Sequence, residues 1–121
     1  MKVVSYRDLQ VWQESRSLAS NIYRLTQKFP ASEQFGITNQ MRRAAVSVLS
    51  NIAEGFGRSS AKEKNQFYFT AKGSLAELET QLYISHDVGY ISEATLNNAM
   101  EAAPLTHRLL QGLIKANKER L

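Results

Sequence analysis

At 121 residues, with 43% hydrophobic and 21% charged side chains, the chain is long enough for one domain with a core, too short for two ordinary domains, and too apolar to be disordered. It has no cysteine, which removes disulfides, a thiolate nucleophile and cysteine zinc sites, and no apolar run approaches the roughly 18 residues that a bilayer span needs. A formal net charge of +4 permits contact with phosphate backbones without requiring it, and the opening residues lack the apolar stretch of a signal peptide, so the expectation is a cytoplasmic protein with no membrane partner.

Four helices are predicted. The first spans about 8–29, with Ser5 and Asp8 as capping residues at its start and Pro30 ending it, because proline disfavours helical geometry in the residue before it. Leu9, Trp12, Ala19, Ile22, Tyr23 and Thr26 give it a broad apolar stripe, with Arg16, Arg24 and Lys28 away from its centre. A short link follows, in which Gly36 is expected to break the chain before Thr38 caps the second helix.

That second helix, 38–54, carries Ile37, Met41, Ala44, Ala45, Val48 and Ile52 on one stripe. Gln40, Arg43, Ser47, Asn51 and Glu54 form a polar line, and Val46, Leu49 and Ala53 form a second small apolar strip. Two apolar strips on one helix mean either a bundle that is wide at this level or contact with another subunit. Gly55 and Gly57 are expected to stop the helix by taking the positive φ of a C-terminal cap, with Arg58 near the negative end of the helix dipole.

Ser60 lies three residues before Glu63, the capping-box spacing, and predicts a third helix over 61–87, about 40 Å long at ~1.5 Å per residue. Its stripe is Phe67, Ala71, Leu75, Leu78 and Leu82, with Tyr68 and Tyr83 beside it. Gly73 in its interior costs on the order of 1 kcal/mol relative to alanine and is expected to face a closely packed neighbour. Gly89 ends the helix and Ser92 caps a fourth, 93–118, whose apolar face includes Leu96, Ala99, Met100, Ala103, Leu110, Leu113 and Ile114. Pro104 removes the bond to the Met100 carbonyl and should kink or break that helix, and the polar tail 115–121 is expected to fray. No β pattern competes, so the fold class is all-α, an antiparallel up-and-down four-helix bundle in a single domain, 1–121.

Bundles of this shape hold di-metal centres when core positions carry Glu-x-x-His pairs. Here Tyr83 stands three residues before His86 and Pro104 three before His107, so neither histidine belongs to such a pair. Gly55 and Gly57 lack the Gly-Lys-Ser/Thr of a phosphate loop, and no nucleophile and base are spaced for catalysis. The expectation is no enzyme, no metal and no cofactor. Charge is the remaining lead. Arg42, Arg43, Arg58, Lys62, Lys64 and Lys72 either form a positive surface for nucleic-acid backbones or are solvated residues paired with Glu54, Glu63 and other acids.

The runs YRDLQVWQ, IYRLTQKFP, QMRRAAVSVLSNIAEGFGR, GSLAELET and GYIS together resemble the 23S rRNA intervening-sequence proteins, also called four-helix bundle proteins, over nearly the whole chain. The most specific parts are Asn51 to Gly55, with Arg42 and Arg43 before them, and Gly73 to Glu79. The resemblance implies a homopentameric ring of antiparallel bundles without catalysis. Pro104 departs from the uninterrupted fourth helix it implies. A similar family, the accessory variability determinant of diversity-generating retroelements, is an oligomeric basic bundle that binds nucleic acid and a reverse transcriptase. Carried over here, the expected backbone contacts with RNA or DNA are Arg42, Arg43, Arg58, Lys62 and Lys72, and the expected oligomer interface is Val46, Leu49, Asn51, Ala53 and Glu54. The alternative is a protein-interaction scaffold, for example an accessory subunit for a reverse transcriptase, with the basic residues used in assembly.

Overall fold

Helix boundaries in this chain are set in part by side chains that bond backbone groups, at Ser5, Ser60 and Ser92, and in part by the turns of the backbone itself. In the computed structural model, which describes residues 2–119, every regular element is helical. Ser5 and Asp8 cap a single 3-10 turn, Tyr6–Asp8, in place of the first helix: Asp8 Oδ2 accepts from the Val4 and Ser5 amides, each at 2.9 Å, and Ser5 Oγ accepts from the Arg7 amide at 3.2 Å. Leu9 is extended, so α1 begins after it and runs Gln10–Thr26. It ends short of Phe29 because its last amides turn to carbonyls three residues back, Gln27 to Arg24 and Phe29 to Thr26, and Phe29 tucks into the core.

Helix α2 is Ile37–Phe56 and is longer at both ends than its pattern suggested. Gly36 occupies the N-cap; Thr38 lies inside the first turn, buried, with its hydroxyl unpartnered among the described residues. Neither Gly55 nor Gly57 acts as a positive-φ cap. Gly57 has an ordinary helical φ of −79°, and the positive-φ glycine among the described residues is Gly89, at 86°. Gly55 is a buried helical residue needed for close approach: a Cβ there would lie 2.8 Å from Tyr68 Cε1 and 3.1 Å from the Lys64 carbonyl oxygen. The end of α2 is closed by Lys64, whose Nζ donates to the Phe56 carbonyl at 2.6 Å.

Helix α3, Ala61–Asp87, starts where Ser60 Oγ accepts from the Glu63 amide at 3.1 Å, one half of the expected box. Tyr68, Ala71, Leu75, Leu78 and Leu82 are buried, Phe67 is half-buried and Tyr83 is exposed. Gly73 has nothing within 4 Å of where a Cβ would stand, so the close neighbour expected for it is missing within the protomer. The fourth rod is two helices, α4 (Glu93–Met100) and α5 (Ala103–Lys118). Pro104 sits in the first turn of α5, where a missing N–H is tolerated, and this is the break its ring chemistry requires. The tail remains helical to Lys118; Arg120 and Leu121 lie outside the described residues.

Cross-helix bonds fix the antiparallel order. Arg42 of α2 reaches Thr26 of α1, Ser47 pairs with Ser74, and Ser85 of α3 donates to Met41. Asn65 Nδ2 donates to the Ile114 carbonyl at 3.1 Å and Asn65 Oδ1 accepts from Asn117 Nδ2 at 2.9 Å, which pins α3 to α5 and satisfies two buried amides. Ile22, Met41, Val48, Ile52, Leu75, Leu78, Leu82, Leu110 and Ile114 fill the centre. At the loop end, Tyr90 donates to Glu33 Oε2 at 2.7 Å, tying the α1–α2 link to the α3–α4 turn and holding the Tyr90 phenol above its ordinary pKa.

Two outcomes follow from these contacts. Gly55→Ala is expected to destabilise the fold by about 1–3 kcal/mol through overpacking against α3, whereas Gly57→Ala, with its helical φ, is expected to be neutral or slightly stabilising; denaturant melts of the two variants check this. The Val4 and Ser5 amides hold Asp8 below the ordinary carboxylate pKa, so its contribution is complete above the unfolded-state value and is lost as pH falls through the folded one. The protection of the Val4 and Ser5 amides against exchange, taken relative to their intrinsic rates, should therefore fall in acid, and Asp8→Asn should remove that pH dependence.

Candidate functional site

The candidate residues cluster around α2, which has one flank against α1 and another against α3. On the α1 flank Val46 is 39% exposed, and Leu49 and Ala53 are half-buried. Val46 and Leu49 join Arg16, Ala19, Ser20, Tyr23 and Ser50 around an open groove of about 420 Å³. The second apolar strip therefore faces partly outward and partly onto the core, since Leu49 packs against the core while Val46 stands in solvent.

The α3 flank is polar. Gln40, Arg43, Ala44, Ser47, Ser74 and Glu77 line a cleft of about 350 Å³. Ser47 Oγ lies 2.8 Å from Ser74 Oγ, and Asn51 Nδ2 donates back to the Ser47 carbonyl at 2.8 Å and to Ser47 Oγ at 3.0 Å. Glu54 pairs with Arg58 at 3.1 Å. Within the protomer, then, Asn51 and Glu54 make local bonds on a different flank from Val46, Leu49 and Ala53. The five expected interface residues do not form one patch.

The basic residues are dispersed too. Arg42 is held by α1: its Nε donates to Thr26 Oγ1 at 2.9 Å and its Nη2 to the Tyr23 carbonyl at 3.3 Å, with the guanidinium 4.7 Å from the Tyr23 ring centroid. Thr26 can accept because its own hydroxyl proton goes to the Ile22 carbonyl, 2.7 Å away. Lys72 points to α5 and donates to Gln111 Oε1 at 2.9 Å. Arg58 lies 4.5 Å from the Phe67 ring centroid, at the α2–α3 turn near exposed Lys62. Arg43 is exposed at the α2–α3 cleft. Arg58–Glu54 is the one ion pair between a lysine or arginine and a carboxylate among the described residues.

Two features escaped the sequence pattern. Ser74 completes the polar cleft from α3, and its only sequence signal was its place in the GSLAELE run. Thr26, read as part of an apolar stripe, is the anchor for Arg42. Both histidines meet acids: His86 Nδ1 lies 3.4 Å from Asp87, and His107 Nε2 hydrogen-bonds Glu79 across α5 and α3. Among the described residues no three His, Cys, Asp or Glu side chains are grouped as metal ligands, and no helix is long and apolar enough to cross a membrane.

Measured against known families, residues 7–112 match that of the 23S rRNA-intervening sequence protein. The chain belongs to this family. A crystal structure of a protein of unknown function from the S23 ribosomal protein family of Bacteroides thetaiotaomicron superposes with a TM-score of 0.80, at 22% identity, over 87% of this chain and 98% of that one. At that identity the likeness establishes the shared helical fold alone. No curated protein matches the sequence.

The different settings of two adjacent family arginines lead to a direct comparison. Arg42→Ala should cost about 1–3 kcal/mol of stability through two lost charge-assisted bonds, while Arg43→Ala should stay within about 0.5 kcal/mol of the native protein in the same melts.

Proposed function

We propose that this member of the 23S rRNA intervening-sequence family is a non-enzymatic oligomeric module that binds nucleic-acid backbones. The observation that carries the reading is how the cations are held. Arg42, Lys64 and Lys72 bond to neutral oxygens, Arg43 and Lys62 stand in solvent, and a single lysine or arginine is paired with a carboxylate among the described residues. Neutral acceptors orient a cation without cancelling its charge, so these side chains keep theirs in a chain whose formal net charge is +4. Arg43 and Lys62 are the principal phosphate contacts in this reading, with Lys72 adding to the field, Arg58 sharing its charge with Glu54, and Arg42 serving mainly to lock α1 to α2.

Assembly is the second half of the proposal. The exposed Val46 and the half-buried Leu49 and Ala53 give α2 an apolar edge that suits a subunit contact in a homopentameric ring, the assembly implied by the family resemblance. A ring would also multiply weak phosphate contacts by avidity. The competing reading, a scaffold for a protein such as a reverse transcriptase, is favoured by the engagement of Arg42 inside the protomer, where two of its donors serve the α1–α2 contact.

Salt-titrated binding to a structured RNA and to duplex DNA tests the first reading. The expected result is an affinity that falls steeply with salt, with a log–log slope reduced by about one in each of Arg43→Ala and Lys62→Ala. Undetectable binding at low salt, or slopes that ignore both substitutions, would overturn it; recovery of a protein partner that survives nuclease treatment would favour the scaffold.

A further inference from the structure

Gly73 is in the middle of α3, yet solvent fills the place of its side chain: nothing stands within 4 Å of a Cβ there. Phe69, Ala76, Thr80 and Tyr83 share its outward stripe, and the two aromatic rings are 48% and 52% exposed. Two rings in water on either side of a flat glycine and alanine saddle have the relief of a helix-packing surface with no helix on it.

The α1–α2 groove has the opposite relief, with Tyr23 and Val46 standing out at 42% and 39% exposure. Its charge is opposite as well. From Gly73 to Asp87 the chain carries Glu77, Glu79, which is bonded to His107, and Asp87, and no lysine or arginine, while at the Phe69 end stand Lys72, bonded to Gln111, and Lys118, 5.4 Å from the Phe69 ring. The groove is lined by Arg16, has Arg42 over Tyr23, and includes no acid. Neither Arg16 nor Glu77 is in an ion pair among the described residues.

We infer that the outer face of α3 docks into the α1–α2 groove of a second copy of this chain, with Tyr23 and Val46 seated over Gly73 and Ala76 and the groove's arginines facing Glu77. The two surfaces differ, so the contact is heterologous: each added copy leaves one free face of each kind, and copies join head to tail until they close on themselves. This rests on reading Val46 and Leu49 as a subunit contact and adds the surface that meets them. It also gives Gly73 the close neighbour that the protomer lacks.

The absence of cysteine makes the test clean. Under mild oxidation, a mixture of Val46→Cys and Ala76→Cys proteins should form disulfide-linked dimers while each alone stays reduced, and the double variant should give a ladder in multiples of 13.6 kDa. Gly73→Leu, whose Cβ would stand in open space in the protomer, should keep its helical circular dichroism but lose the assembly and elute as the monomer. Disulfides between two Val46→Cys copies, with an assembly still present by light scattering, would overturn the pairing while leaving the subunit contact at Val46 standing. An assembly that survives Gly73→Leu without mixed disulfides would also overturn the pairing. A wild-type protein that is monomeric at micromolar concentration would overturn both readings.

Discussion

The close approach of α2 to α3 at Gly55 is the constraint on which the rest of the protomer depends. Hydrogen in place of a side chain lets Tyr68 and the Lys64 carbonyl lie against the end of α2, and Lys64 then closes that end through the Phe56 carbonyl. Once the two helices are clamped there, their antiparallel register places Ser47 opposite Ser74 and Met41 opposite Ser85 along the same seam. The apolar stripe of α2 is thereby committed inward, and its two flanks become the edges from which the candidate surfaces are built.

Those flanks differ in chemistry because they meet different neighbours. Toward α3 the seam is polar at the surface and satisfies itself with short hydroxyl and amide bonds, which fixes side-chain geometry at little cost in exposed apolar area. Toward α1 the groove keeps a tyrosine and a valine in water beside two guanidinium groups. An arginine over an aromatic face retains its full charge while its stem covers apolar surface, so this edge is at once sticky and cationic. The family assignment fits such a protomer without requiring any reacting group in it.

Much of this was legible in the residues. The stripe from Met41 to Ile52, Ser60 as the cap of α3, Ser92 as the cap of α4 and the break at Pro104 each rest on local chemistry, and local chemistry decides them. The misread positions are those where tertiary contact overrides a local rule. Gly55 resembles a stop signal in isolation and becomes a packing residue only when Tyr68 arrives; Thr38 loses its capping role because Gly36 starts the helix earlier. The helical period puts Arg43 on the polar line and leaves Arg42 off it, but only the position of Thr26 on the neighbouring helix makes Arg42 the anchored one.

Cutting the fourth rod at Pro104 leaves α4 with eight residues, Glu93–Met100, well below the ~12–15 at which an isolated helix begins to hold its shape in water. Its order is therefore borrowed from Leu96 and Ala99, packed into the core, and from the Ser92 cap. Cooperativity is weakest at such a place. This corner is therefore the part of the bundle expected to open first, ahead of α2, α3 and α5.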